Sequence, residues 1–467
     1  MTLAGDYASA LVRGFGIAAA AVLMAGAVRS AITSCPRRGA RFLWLVHLVP
    51  FLTPVLLVGY AWSRFSLSLI QHPAWNQALY VFLVWLKLTP VATLALHFAP
   101  SAMSPEAAHC HRLLRRGVRS PAFRRPSALS FWLHGQGRAA GVALVVVFLL
   151  AFGEFEMASL MCIRSWTVTL FDAQVGGLAL GESLRLAVPG LVCGAALLGL
   201  GLTLLFTAPA RAIQPAPVRS AMGRAARTAI GLYLFGALAA VTLLPAYLVI
   251  EGTLTGFGLL PETLALAREV GASVAFGLAA AACAYLVAGW FLKGEGRVFA
   301  AGLCVPGLLG ALVLALLVLA LFQLPGVRAA YDTPLPLVLA LSLLLFPFGL
   351  VLRLLVSALR PGEASHAASL LKSARERTVA RRGRRVLWHL EGQGKLAVAF
   401  LLFCWGYFDV TASAILAPSQ MTPVLVRLYN FMHYGQTAAL SAMVFVCFAV
   451  PFVLLGFFFV SFRVFRG

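Results

Sequence analysis

The sequence predicts an all-α polytopic membrane protein, and three observations support this prediction. Hydrophobic residues make up 61% of the 467-residue chain and charged residues only 11%, whereas soluble domains have about 45–50% and about 25%. The mean hydropathy is +0.91. Long apolar segments recur along the chain and are separated by basic stretches. This composition excludes a soluble globular domain.

The apolar segments set the predicted number of membrane spans. A helix needs about 17 to 25 apolar residues to cross roughly 30 Å of hydrocarbon. Eleven segments meet this requirement, at about 10–32, 43–62, 76–99, 139–161, 183–207, 228–250, 267–292, 298–322, 335–357, 396–416 and 437–461.

A stretch of the first half recurs in the second half at a shift of 257 residues, without a gap. Such self-similarity indicates a duplicated architecture. The first three apolar segments fall on segments seven to nine at this shift, so the sixth has no partner in the first half. The matched positions are Glu106 with Glu363, His109 with His366, Leu113 and Leu114 with Leu370 and Leu371, and Gly135-Gln136-Gly137 with Gly392-Gln393-Gly394.

The repeat predicts two tandem domains of five and six helices. Residues 1–207 form the first domain and residues 228–467 the second. Residues 208–227 are rich in Pro, Ala and Arg and form a cytoplasmic linker between them.

The net charge of +22 is explained by loops rather than by a nucleic-acid surface. Arg and Lys concentrate in one set of the loops between apolar segments, which the positive-inside rule places in the cytoplasm. We therefore expect the N-terminus outside, the C-terminus in the cytoplasm, membrane lipid as a partner, and no nucleic acid. The eight cysteines form no CxxC motif, so no metal site is predicted.

Both copies of the repeated loop open with a short amphipathic helix. Its apolar positions recur on one face, as Ala107, Cys110, Leu113 and Leu114 in the first copy and Ala364, Ala367, Leu370 and Leu371 in the second. An interfacial helix on anionic lipid is one interpretation. Both copies have the same spacing to the following span. This favours docking to a protein, because lipid contact does not require a fixed register.

These residues carry a resemblance to a known family. Glu-Ala-Ala near Leu-Leu, followed by basic residues and an apolar helix, resembles the EAA loop of binding-protein-dependent ABC importer permeases. The sequences GEFEMASLM and TPVLVRLYNFMHYG are similar to the fused two-domain permeases of ferric-iron importers and their thiamine and phosphonate relatives. The resemblance covers about residues 76–207 and 335–460.

The resemblance implies two permease domains around one path in a bacterial inner membrane. A binding protein outside the membrane would deliver ferric iron or a related small solute, and a separate ATPase dimer would drive alternating access. The chain has no GxxxxGK[ST] motif, so ATP is expected on that partner and no cofactor or catalytic residue in this chain. The implied ATPase-coupling residues are Glu106, Ala107, Ala108, Leu113, Leu114, Glu363, Ala364, His366, Ala367, Leu370 and Leu371.

The glycine that follows Glu-Ala-Ala in the family is replaced by Arg112 in the first copy and by Ser369 in the second. This departure keeps a second hypothesis open. The chain is then a degenerate permease-like scaffold or assembly protein without transport activity.

Carboxylates within the predicted spans are the remaining candidates. Each costs about 2.5–3.5 kcal/mol on insertion scales, so it is expected to face a cavity or a partner. The resemblance places the family's GEF motif on Gly153–Phe155. In the second repeat, Gly406–Phe408 stands in place of this motif. The implied path residues are Glu154, Glu156, Tyr407 and Asp409. The alternatives are that the carboxylates lie hydrated near the outer end of the span or that they hydrogen-bond between helices. Lys87 is expected to have a structural role.

Overall fold

The computed structural model describes residues 3–98, 110, 137–206, 223–259, 263–292, 297–358, 362–434 and 437–464. Every regular element within these ranges is helical, as predicted. Seven of these helices are long and apolar enough to cross a membrane, or up to nine spans if each of two bent helix pairs counts as one. The protein is therefore an all-α, membrane-embedded protein.

The chain divides into two compact units, Met1–Leu248 and Val249–Gly467. Helix α10 crosses the division after a π-helical turn that follows α9. The helices that begin in the first unit are α1 Leu3–Ser34, α2 Arg37–Leu52, α3 Val55–Ser68, α4 Pro73–Phe98, α5 Arg138–Phe152, α6 Glu156–Leu160, α7 Trp166–Val175, α8 Leu180–Phe206, α9 Arg224–Leu238 and α10 Leu244–Gly256.

The second unit also combines long and short helices. A π-helical turn, Trp388–Gly392, joins two of them, α16 and α17. The helices of this unit are α11 Thr263–Phe291, α12 Arg297–Leu308, α13 Ala311–Phe322, α14 Leu335–Ala358, α15 Gly362–Lys372, α16 Arg377–Leu387, α17 Gln393–Tyr407, α18 Thr411–Leu416, α19 Val424–Tyr434 and α20 Thr437–Val464.

Three helices, α1, α4 and α5, pack against one another at the centre of the first unit. The buried face of α1 is rich in small residues, and Ala18, Ala21 and Ala25 on it are completely buried. Small side chains let helix backbones approach closely, which is the usual basis of packing between membrane helices. Helix α5 also packs on α8, and α3 packs on α6.

Helices α11, α14 and α17 form the corresponding centre of the second unit. Gly277 on α11 allows a close approach, because a Cβ there would lie 3.1 Å from the backbone nitrogen of Tyr407 on α17. Helix α13 packs on α18 in this unit. Helix α9 packs on α1, α2 and α4, so its contacts are with the first unit. The predicted boundaries at 1–207, 208–227 and 228–467 stay a prediction.

Four of the predicted spans contain a break that the hydropathy pattern does not show. The helix pair α2–α3 is bent by 68° and the pair α12–α13 by 113°. The first break has a proline, Pro54, directly before α3, and the second has Gly310 at φ 102°. The pairs α5–α6 and α17–α18 are interrupted between Phe152 and Glu156 and between Tyr407 and Thr411.

Replacement of Gly310 by alanine is expected to destabilise the protein by about 1–3 kcal/mol, because an L side chain rarely adopts a positive φ of this kind. Gly302→Ala in α12 is the matched control, since a Cβ there meets nothing within 4 Å. Thermal unfolding in detergent measures both variants. Equal melting temperatures for the two would show that the break does not depend on Gly310.

Candidate functional site

Glu154 caps a short helix at the break between α5 and α6. Helix α5 ends where the Gly153 N–H donates to the Leu149 carbonyl at 3.0 Å. The next residue, Glu154, accepts the backbone N–H of Met157 on Oε1 at 2.6 Å and that of Ala158 on Oε2 at 3.1 Å. A carboxylate at a helix N-terminus satisfies backbone donors and opposes the positive end of the helix dipole.

The Glu154 carboxylate is also tied to neighbouring helices. The buried Tyr80 hydroxyl on α4 donates to Oε2 at 2.8 Å. The Arg13 guanidinium of α1 interacts electrostatically with the carboxylate and lies 5.6 Å from the centre of the Tyr80 ring. Arg13 also donates to the carbonyl of Arg164 at 2.9 Å. Glu154 therefore joins α1, α4 and α6.

Asp409 has the same role at the break between α17 and α18. The Phe408 N–H donates to Cys404 O at 2.9 Å, which ends α17. Asp409 Oδ2 then accepts the N–H groups of Ala412 at 2.9 Å and Ser413 at 3.3 Å. The sequence resemblance aligns Gly406–Phe408 with Gly153–Phe155, which leaves no carboxylate in the second copy of the motif. The structure instead places the Asp409 carboxylate in the position of Glu154, so both units have a carboxylate cap.

The other two predicted path residues also lie at these breaks. Tyr407 is buried at the end of α17, and its hydroxyl donates to Cys447 O on α20 at 3.0 Å. Glu156 begins α6, and its charge and that of Glu154 interact with the buried Lys87 ammonium. Glu154, Glu156 and Lys87 are thus linked electrostatically. A translocation path lined by these residues stays a prediction.

The predicted coupling residues of the first copy lie outside the described residues, and those of the second copy are exposed. Glu106, Ala107, Ala108, Leu113 and Leu114 lie outside the described residues. The second copy forms helix α15, which confirms the predicted helix. The predicted residues of this copy are all exposed, namely Glu363, Ala364, His366, Ala367, Leu370 and Leu371.

Helix α15 forms a hairpin with α16, and this contact leaves two leucines uncovered. The contact is close at Gly383, where a Cβ would meet the backbone of Leu371 and Lys372. Leu370 is 61% exposed and Leu371 is 43% exposed. The opposite side of α16 carries exposed arginines at 377, 381, 382, 384 and 385. The hairpin therefore presents an apolar pair beside a strongly basic helix.

Sequence reasoning missed two features of these sites. It expected a structural role for Lys87 without identifying its partners, and it treated each interrupted span as one helix. Within the part of the chain that the structure describes, no group of three or more His, Cys, Asp or Glu residues could hold a metal ion. No family model, no curated protein and no solved structure matches the chain.

Proposed function

We propose that the chain is the transmembrane permease subunit of an ABC importer for ferric iron or a related small solute. The observation that carries the proposal is the exposed Leu370–Leu371 pair on the short helix α15. Exposed apolar residues on a helix of this kind favour a protein partner. The groove of a separate ATPase dimer would cover them, and ATP hydrolysis there would drive alternating access. This chain binds no cofactor of its own.

The arrangement of helices within each unit supports a two-repeat permease. In each unit three helices pack mutually, and the second half of a bent pair packs on a short capped helix. Within the described residues, the proposal counts α5–α6 and α17–α18 as two further spans beside the up to nine that length and composition support, which gives the five-plus-six arrangement. The corresponding carboxylates Glu154 and Asp409 support the same repeat.

The proposed orientation follows from the basic hairpin. Arginines concentrated on α16 favour a cytoplasmic location under the positive-inside rule. In a bacterial inner membrane this places α15 where an ATPase can reach it, the N-terminus outside and the C-terminus in the cytoplasm. An extracytoplasmic binding protein would approach the opposite face.

The experiment is an ATPase assay on proteoliposomes that contain this chain, its cognate ATPase and its cognate binding protein. Loaded binding protein is expected to raise the hydrolysis rate, as alternating access couples delivery to hydrolysis. Unloaded binding protein is the control. If a verified native partner set hydrolyses ATP at the same rate with and without loaded binding protein, the importer proposal is wrong.

The second candidate is a permease-like scaffold or assembly protein, and one observation favours it. Glu154 and Tyr407 form hydrogen bonds to neighbouring helices, and Asp409 caps α18, so these residues stabilise the fold whether or not they line a path. A scaffold would associate stably with other membrane proteins and with no ATPase. Purification from native membranes separates the two candidates, because the importer proposal requires a P-loop protein in the complex.

A further inference from the structure

Lys87 lies in α4 and is only 7% exposed, yet its ammonium group is surrounded by oxygen atoms. Nζ is 3.5 Å from the carbonyl oxygen of Pro50 and 3.1 Å from that of Phe51. It also donates to the carbonyl of Thr53. These oxygens lie in the last turn of α2 and at the break before α3.

The break explains why the Pro50 carbonyl needs a donor from another helix. In an uninterrupted helix the N–H of residue 54 would bond to the Pro50 carbonyl, but Pro54 has no N–H. Helix α2 ends at Leu52 and the chain turns by 68°, so the Thr53 carbonyl lies beyond the end of the helix. A buried carbonyl without a donor is costly. An ammonium group carries three N–H donors and matches three carbonyls.

Two carboxylates supply negative charge near the three carbonyl oxygens, and negative charge favours binding of a cation. The carboxylates of Glu156 and Glu154 both interact electrostatically with the Lys87 ammonium. Carbonyl oxygens released at a broken membrane helix are the ligands that transport proteins use for small monovalent cations. Here a covalently attached ammonium occupies that position.

The second unit shows that this type of break does not require a cation. The 257-residue shift places Leu344 at the position of Lys87, and Gly307 and Gly310 at those of Pro50 and Thr53. Gly307 lies so close to α14 that a Cβ would be 3.1 Å from the Leu344 carbonyl oxygen. Gly310 makes the turn with a positive φ. The second unit thus uses glycines and close packing at this break.

We propose that the carbonyls of Pro50, Phe51 and Thr53 form a monovalent-cation site and that Lys87 is its tethered occupant. The ammonium fixes the α2–α3 break and balances the carboxylates at the α5–α6 break. Loss of the tether therefore leaves a site for a small free cation such as methylammonium. The inference does not depend on transport activity.

Two substitutions test the site in the purified full-length chain. Lys87→Ala removes the ammonium and leaves space, whereas Lys87→Met fills the space with an apolar chain of similar length. Both are expected to lower the melting temperature by about 10 °C, since each leaves buried carboxylates and carbonyls uncompensated. Methylammonium chloride is expected to raise the melting temperature of Lys87→Ala with the logarithm of its concentration. It should not stabilise Lys87→Met.

N-methylglucamine chloride at equal ionic strength is the control, because this cation is too large for the space. The proposal is overturned if methylammonium stabilises neither variant, stabilises both equally, or acts no better than N-methylglucamine.

A measurement on the unaltered protein decides the question if neither variant folds. The chain has four lysines, Lys87, Lys293, Lys372 and Lys395, so ammonium signals from ¹⁵N-labelled lysine are few. One ammonium signal is expected to exchange slowly with solvent and to be insensitive to added salt. Rapid exchange of all four ammonium signals with solvent would contradict the proposed cation site.

Discussion

Replacement of Glu154 by glutamine is expected to lower the free energy of unfolding by about 2–4 kcal/mol. Both carboxylate oxygens accept hydrogen bonds, one from Met157 and the other from Tyr80 and Ala158. An amide offers one oxygen and turns an NH₂ group toward donors that need an acceptor. Loss of a helix cap costs about 0.5–2 kcal/mol, and loss of a hydrogen bond to a charged group costs about 1.5–3 kcal/mol.

Thermal unfolding in detergent, followed by tryptophan fluorescence, measures this effect. Glu251→Gln is the matched control, because Glu251 is exposed on α10. Tyr80→Phe removes only one of the three donors and is expected to have an intermediate effect. Melting temperatures of Glu154→Gln and Glu251→Gln that agree within error would show that the cap does not stabilise the fold.

Replacement of Leu370 and Leu371 by serine is expected to weaken binding of the cognate ATPase at least about tenfold. Burial of one leucine contributes about 1.5–3 kcal/mol, and a factor of ten corresponds to about 1.4 kcal/mol. Both side chains are exposed in this chain. The double variant is therefore expected to fold normally, with a stability change of about 0.5 kcal/mol or less per site.

Binding is measured by co-purification and by titration of the detergent-solubilised complex. Val386→Ser is the control, since Val386 is 42% exposed on the other helix of the hairpin. It loses apolar surface without altering the predicted coupling helix. Equal affinity of the ATPase for the double variant and for the unaltered chain would exclude α15 as the docking helix.

Local sequence patterns were sufficient to predict the membrane class and helix α15. The apolar fraction of the chain leaves no soluble alternative, and the spacing of Ala364, Ala367, Leu370 and Leu371 has the period of a helix. The sequence also singled out Glu154 and Asp409, because charges are rare in apolar segments. These features depend on residues near one another in the chain.

The breaks and their polar partners depend on information that a hydropathy pattern does not contain. Average hydropathy is insensitive to Pro54 or Gly310. A proline or glycine inside an apolar segment nevertheless indicates where a helix can break. Lys87 bonds to carbonyls 34 to 37 residues away. No local sequence pattern around Lys87 identifies these acceptors, because the bend between α2 and α3 is what makes the carbonyls accessible to it.

The most direct test of the proposed function is photo-crosslinking from position 370 in native membranes. A photoreactive benzoylphenylalanine replaces Leu370, and in a parallel sample it replaces Val386. The proposal predicts that the adduct from position 370 contains an ATPase with a GxxxxGK[ST] loop and that position 386 yields much less of it. Adducts from position 370 that contain no P-loop protein would contradict the proposal.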